Sequence, residues 1–384
     1  MSVCKHGNLC ATPPHMLRQI VQNGNTSQRE RAEKTLDSSE QFRGKRVALA
    51  EGPFTHAASG AGLHRSVYNA NNGSSLPGSM ARDEGAAATG DNAVDEAYDG
   101  SGETYRLLKD EYGRDSLDGN GMKLKSTTHY QTGYDNAFWN GSQMVYGDGD
   151  EDLPEDERFF NRFTISLDII GHELAHGLTQ FTAGLRYVDQ SGALNESMSD
   201  VFGSLVKQRK LNQTAADADW LIGAELLTSN VNGSAIRSMK APGTAYDDPV
   251  IGKDPQPGHM RDYKDVDYDN GGVHINSGIP NHAFYLIALE LGGNAWEKAG
   301  KIWFQTLTDS SKMNRRSQFT DAAKATWEVA GSLFGTGSLE QQAVKKGWNG
   351  VGLEVDGNDN GGGGGGGGNT GCLVAPLVLT RMFT

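Results

Sequence analysis

The apolar positions change period partway along the chain. Residues 64–70 (HRSVYNA) alternate, then meet Asn71-Asn72-Gly73, which predicts a strand and a turn. Between residues 91 and 112, Val94, Ala97, Tyr98, Tyr105, Leu108 and Tyr112 follow a helical spacing. Turn residues 118–121 (DGNG) end that segment. KLKSTTHY (123–130) and SQMVYG (142–147) read as strands flanking NAFWNG, with an acidic loop over 148–152. Beyond this the helical period dominates, and helices are expected at about 166–181, 191–208, 215–227, 275–291, 296–308, 317–332 and 338–346. At the start, Pro13-Pro14 holds the backbone extended, and MLRQIVQ (16–22) predicts a short amphipathic helix. Ser27 followed by Glu30 has the spacing of a capping box, opening a second helix to about Phe42 that Arg43-Gly44-Lys45-Arg46 breaks. The pattern predicts an α+β chain in two lobes, with a strand-bearing first half and an all-helical second half joined near residue 180.

Composition narrows the class. The 384 residues are 36% hydrophobic with Tyr counted and Gly left out, which is about 46% with Gly in place of Tyr, and 22% charged, ordinary for a globular protein. The apolar runs are shorter than the 18 or so residues of a membrane span, so no transmembrane segment is expected. The net charge of −13 is uneven. Residues 1–50 carry eight Lys or Arg against four acids, a +4 arm, which leaves −17 on residues 51–384. The arm could be a solvated tail, a segment docked on its own body, or a nucleic-acid contact. The last is disfavoured, because the body would repel phosphate. Cys4, Cys10 and Cys372 sit at the two ends, so no disulfide framework staples the body. The N-terminus lacks the 7–15-residue apolar core of a usual secretory signal.

His172-Glu173-Leu174-Ala175-His176 carries the strongest chemistry. On a helix, residues i and i+4 face the same way, so two imidazoles can converge on one metal with Glu173 beside them. The plainer alternative is a pair of surface histidines, which the apolar run before them argues against. Twenty residues on, Glu196 and Asp200 share one face of another helix. One carboxylate can bind the metal and the other can hold a ligating histidine's tautomer. DNGGVHINSG (269–278) brings His274 out of a glycine turn, with Asp269 placed to orient it. The backbone of 136–141 (NAFWNG) and the Asn136 amide could pair with an extended ligand as an edge strand does.

These four motifs, in this order over about residues 64–350, resemble the thermolysin family of neutral zinc metallopeptidases. The resemblance implies a β-rich N-terminal lobe and an all-α C-terminal lobe with the active-site cleft between them. It implies Zn2+ held by His172, His176 and Glu196, with Asp200 supporting a histidine. Glu173 would be the general base. His274, supported by Asp269, and Tyr187 would stabilise the developing oxyanion. Asn136, Ala137 and Arg237 would hold the substrate backbone. Phe163, Ile169, Ile222 and Ile236 would line a pocket favouring cleavage before a bulky hydrophobic residue. The chain departs from thermostable members at Lys207, which stands where they carry a calcium-binding acid. Its ammonium beside Asp168 could replace the ion, so the double Ca2+ site is expected to be absent.

PPHML (13–17) before a basic helix is similar to the short propeptide of the protealysin-like subgroup. This favours the docked reading of the arm. The expected division is a propeptide (1–50), an N-terminal catalytic lobe (51–180), a helical lobe (181–352) and a glycine-rich linker with an apolar tail (353–384). The propeptide is expected to be removed autocatalytically between about residues 46 and 63. Its partners would be protein or peptide substrates and its own propeptide in cis, without nucleic acid, in a monomer. Secretion is implied, with a cytoplasmic location or non-classical export as the alternative. A zinc scaffold that only binds peptides is the competing function. Glu173 and His274 argue against it, since zinc binding needs neither.

Overall fold

A computed structural model describes residues 11–50 and 62–355, without the side chains of 40–50. The three cysteines, residues 51–61 of the expected processing stretch (about 46–63) and the Gly361–Gly368 run lie outside the described residues.

Helix α1 (Pro14–Asn23) begins where the prolines dictate, with Pro13 as its cap and Pro14 in the first turn. Its buried side is Met16, Leu17 and Ile20. Helix α2 (Thr26–Ala50) starts earlier than the Ser27 box predicts. The reciprocal cap is instead Asn25 with Gln28: Gln28 N donates to Asn25 Oδ1 at 3.0 Å, and Asn25 N to Gln28 Oε1 at 2.9 Å. The expected break at 43–46 does not occur, and the backbone stays helical to Ala50.

Five short strands form one mixed sheet: β1 (Arg65–Asn69), β2 (Ser79–Asp83), β3 (Leu124–Thr128), β4 (Ala137–Trp139) and β5 (Met144–Tyr146). Their order is β2-β1-β3-β5-β4. β1, β3 and β5 run parallel, and the outer strands β2 and β4 pair antiparallel to their neighbours. β2 carries no alternating signal and was not expected. β4 falls inside NAFWNG and takes the edge of the sheet. Helix α3 (Asn92–Arg106), capped by Asp91, packs on β1.

Helices α4 (Leu167–Gln180) and α5 (Asp189–Leu211) make the most extensive helix pair. A Cβ on Gly171 would stand 2.9 Å from Gly203 Cα, and one on Gly203 would stand 2.3 Å from Asp168 O. The two backbones therefore meet at glycines, which no other residue allows without a shift. After α5 the expected helix at 215–227 is not formed. Trp220 has a left-handed backbone (φ 59°), and β6 (Leu221–Ile222) pairs with β7 (Arg237–Ser238). A second two-stranded ladder joins β8 (Asp247–Asp248) to β9 (Gly252–Lys253). The remainder is helical: α6 (Asp269–Asn276), α7 (Gly278–Leu291), α8 (Ala299–Thr308), α9 (Phe319–Phe334) and α10 (Leu339–Gly350). The two-lobed α+β fold stands as expected, with the two small ladders added to the helical lobe. No helix of the described residues is long and apolar enough to cross a membrane.

Candidate metal centre and active site

The α4–α5 crossing brings together residues that the sequence separates. His172 and His176 on α4 and Glu196 on α5 are all buried. The two Nε2 atoms lie 3.1 Å apart. Glu196 Oε2 is 3.5 Å from His172 Nε2, and Glu196 Oε1 is 3.5 Å from His176 Nε2. Ligand atoms of His172, Glu173 and His176 also fall within 4.8 Å of one another.

The outer partners decide which nitrogens face inward. Asp200 is ionised: its carboxylate accepts from Arg237 Nε and Nη2, each at 2.8 Å, and from Asn281 Nδ2 at 2.8 Å. Burial raises its pKa, but Arg237 and His172 outweigh that and hold it well below the carboxylate range. It takes the Nδ1–H of His172 at 2.7 Å. Asn195 gives its amide N–H to Leu185 O at 3.1 Å, which turns Oδ1 toward His176 Nδ1 at 2.9 Å. Ser199 Oγ is 2.8 Å from the same nitrogen. In the neutral rings both Nε2 lone pairs then point at each other and at a carboxylate. Burial alone would lower the His172 pKa, yet Asp200 and Glu196 push it up to about 9. The site demands a positive charge. Glu196 Oε2 is buried without a hydrogen-bond partner. Two imidazole nitrogens and a carboxylate oxygen are the donor set of a catalytic zinc, and nitrogens on a tetrahedral zinc lie roughly 3.3 Å apart. The residues fit that ion.

Around this centre, Trp139 N of β4 donates to Glu173 Oε2 at 2.9 Å. His274 on α6 is gripped by Asp269, which takes its Nδ1–H at 2.6 Å and its backbone N–H at 2.9 Å. The grip depends on the left-handed turn Asn270-Gly271-Gly272 (φ 53°, 84° and 75°). Tyr187 donates its hydroxyl to Glu196 and lies 3.1 Å from His274 Nε2.

Asn136, Ala137 and Arg237 form one row, and the N-terminal arm is in it. Ala11 N donates to Ala137 O at 3.1 Å, Thr12 N to Asn136 Oδ1 at 2.9 Å, and Arg237 Nη1 to Ala11 O at 3.1 Å. Phe163, Ile169, Ile222 and Ile236 are all buried in the main core. Ile169 and Ile236 both approach Gly223. Lys207 Nζ lies 2.7 Å from Asp168 Oδ2, 3.1 Å from Asp219 Oδ1 and 2.8 Å from Leu221 O.

Asn195, Ser199, Asn281 and Gln256, which donates to His274 O at 2.7 Å, were not singled out from the sequence. Asn195 and Ser199 were findable: they repeat the i, i+4 spacing of Glu196 and Asp200 one position earlier. Asn281 and Gln256 carry no local signal.

Comparison with known proteins gives the family. The family model "Thermolysin metallopeptidase, catalytic domain" matches residues 29–180, and "Thermolysin metallopeptidase, alpha-helical domain" matches 183–353. The chain is 48% identical over 344 residues to an extracellular metalloprotease of Pectobacterium carotovorum subsp. carotovorum, covering 89% of this chain and 96% of the relative. It is 47% identical over 352 residues to protease PrtS of Photorhabdus sp. (strain Az29), covering 90% and 92%. The structure of the precursor of protealysin, a metalloproteinase from Serratia proteamaculans, aligns with TM-score 0.80 and 49% identity over 90% of this chain and 99% of that one. The chain belongs to the thermolysin metallopeptidase family. Its activity is that of a zinc metalloendopeptidase.

Proposed function

We propose that this endopeptidase is made as a zymogen whose residues 1–50 fill its own substrate row. The observation that carries this is the pairing of Ala11 and Thr12 with Asn136, Ala137 and Arg237. Those groups offer an acceptor, an amide and a guanidinium to an extended backbone, which is what a bound peptide needs.

His172, His176 and Glu196 hold the zinc. Glu196 is preferred to Glu173 as third ligand because it stands equally close to both histidines, while Glu173 is tied to β4. Zinc, when bound, supplies Lewis-acid polarisation of a carbonyl and lowers the pKa of water to about 7. Glu173 takes the proton of the attacking water and passes it to the leaving amine. The Trp139 N–H holds that carboxylate in place. His274 and Tyr187 present their donors where the carbonyl oxygen gains charge, and Asp269 keeps the imidazole oriented. Asp200 holds His172 and Arg237 together, so one carboxylate serves both the metal and the substrate row. Phe163, Ile169, Ile222 and Ile236 give the primed side an apolar pocket, which favours cleavage before a bulky hydrophobic residue.

The chain divides as propeptide 1–50, N-terminal lobe 51–180, helical lobe 181–352 and tail. Self-cleavage falls between about residues 46 and 63. Secretion is the destination we assign, because the Pectobacterium relative is described as extracellular. Lys207 replaces the double calcium site. Its ammonium, pushed up in pKa chiefly by Asp168 against the opposing effect of burial, neutralises the acid an ion would otherwise bind.

The test is casein hydrolysis with and without a zinc chelator, on wild type and Glu173→Ala. Chelator-sensitive cleavage lost in Glu173→Ala is expected. Cleavage insensitive to both would refute the reading.

A further inference from the structure

The arm makes a second contact with the body, away from the metal centre. Arg31 on α2 donates to both carboxylate oxygens of Asp152, at 2.9 and 2.6 Å. Its Nη1 stands 3.8 Å from Asp150 Oδ1. One turn on, Lys34 donates to Thr132 O at 2.7 Å. A Cβ on Gly133 would stand 2.5 Å from Arg31 Nη1, so the body's backbone is shaped to this guanidinium.

The floor of the recess is unusual. Asp150 Oδ2 accepts from Phe159 N and Phe160 N at 2.8 and 3.0 Å, which leaves Oδ1 toward Arg31. Asp135 is 3% exposed, and its Oδ1 has no hydrogen-bond partner. Burial pushes its carboxyl up, and the neighbouring Asp150 adds to this while Arg31 opposes it. A buried oxygen left without a partner is costly, and few native sites keep one without a reason. All three carboxylates, Asp152, Asp150 and Asp135, act on the Arg31 guanidinium, so the arm supplies the cation.

We propose that Asp135, Asp150 and Asp152 form a site for a hard divalent cation of the calcium class. Arg31 plugs it in the full-length chain, and it opens when residues 1–50 leave. The second half of this statement rests on reading the arm as a prosegment. The donors are all oxygens and all three groups can carry charge, the ligand set that calcium takes. With the guanidinium between them the carboxylates are spread wider than one ion spans. Among the described residues, the group brought within 4.8 Å is His172, Glu173 and His176. Losing Arg31 removes the wedge, and Asp152, half exposed, can close. Lys207 uses the same substitution on Asp168, but it belongs to the body and stays. Arg31 departs with the arm.

The experiment is a calcium titration of the intact chain carrying Glu173→Ala, with intactness checked by mass. It is repeated with Arg31→Ala or Arg31→Gln added. With Arg31 present, no heat and no change in Tm are expected. Either Arg31 variant should bind one calcium by calorimetry and gain about 2–3 °C in Tm at ten times Kd. Adding Asp150→Asn, or the gentler Asp152→Asn on the rim, should abolish both signals. The proposal is overturned if neither Arg31 variant responds. It is equally overturned if the response survives the Asp substitutions or is already present with Arg31 in place. The arm stays attached throughout, so a failure of prosegment release is read separately, from the mass of the wild type.

Discussion

At the residue scale the molecule manages buried charge by pairing, and that makes single substitutions informative. Asp168 is fully buried and depends on Lys207 for its counter-charge. Lys207→Ala leaves that carboxylate unpaired and should cost about 3–5 kcal/mol, read as a fall in Tm. The same lysine bears on calcium: added calcium should not raise the Tm of the intact Glu173→Ala chain, and a rise of many degrees would refute the proposal that Lys207 replaces the double site. Asp200→Ala frees His172 to turn, so zinc affinity measured against a competing chelator should fall 10–100-fold. His15 of the arm contacts Tyr246 at 3.0 Å and is partly buried. Burial pushes its pKa down to about 4, with His274 and Arg237 adding and Asp269 opposing. Between about 6.5 and 4 a released arm binds a proton that the docked arm refuses. Docking therefore holds above pH 6.5 and weakens as pH falls toward 4, by at most about 3 kcal/mol. Limited proteolysis should find the arm of the Glu173→Ala chain exposed near pH 4 and protected at pH 7.5. His15→Leu should flatten that difference.

At the scale of elements the metal centre is a product of one helix crossing. Gly171 and Gly203 let α4 and α5 approach closely enough for their side chains to meet. Gly203→Ala places a methyl against Asp168 O and should cost about 1–3 kcal/mol. Its distinguishing mark would be weakened zinc binding with every ligand intact, measured by the same chelator competition. The edge strand β4 acts in two directions. Its Trp139 N–H holds Glu173, and its Ala137 carbonyl holds the arm. The failed helix at 215–227 shows where periodicity misleads. Trp220, Ile222 and Leu226 are all buried, but Ile222 gains its burial in a ladder with Arg237. Apolar spacing records which positions are covered. It does not record whether backbone groups bond locally or to a distant partner.

At the scale of the whole molecule residues 1–50 carry +4 and the rest −17, and Arg31 and Lys34 of the arm both contact the body. N-terminal sequencing should find the wild type shortened between about residues 46 and 63 and the Glu173→Ala chain intact, and equal processing in both would refute self-cleavage. Glu196, also named from the sequence, meets the histidines only through the α4–α5 crossing, whereas His172, Glu173, His176 and the Asp269–His274 pair were legible in the sequence as local motifs. Each lies in a short motif whose spacing sets its own geometry: a helical turn for His172 and His176, a glycine turn for His274. The α+β division was legible for the same reason, since period two and period 3.6 are local properties. Other features depended on distant partners. Asn281 reaches Asp200 from 81 positions away, Thr12 pairs with Asn136 across 124, and Ala11 with Arg237 across 226. The sequence alone determined which chemistry this chain carries. Only the folded chain decided which way each imidazole faces and what lies in its substrate row, because those depend on contacts between segments that no local pattern encodes.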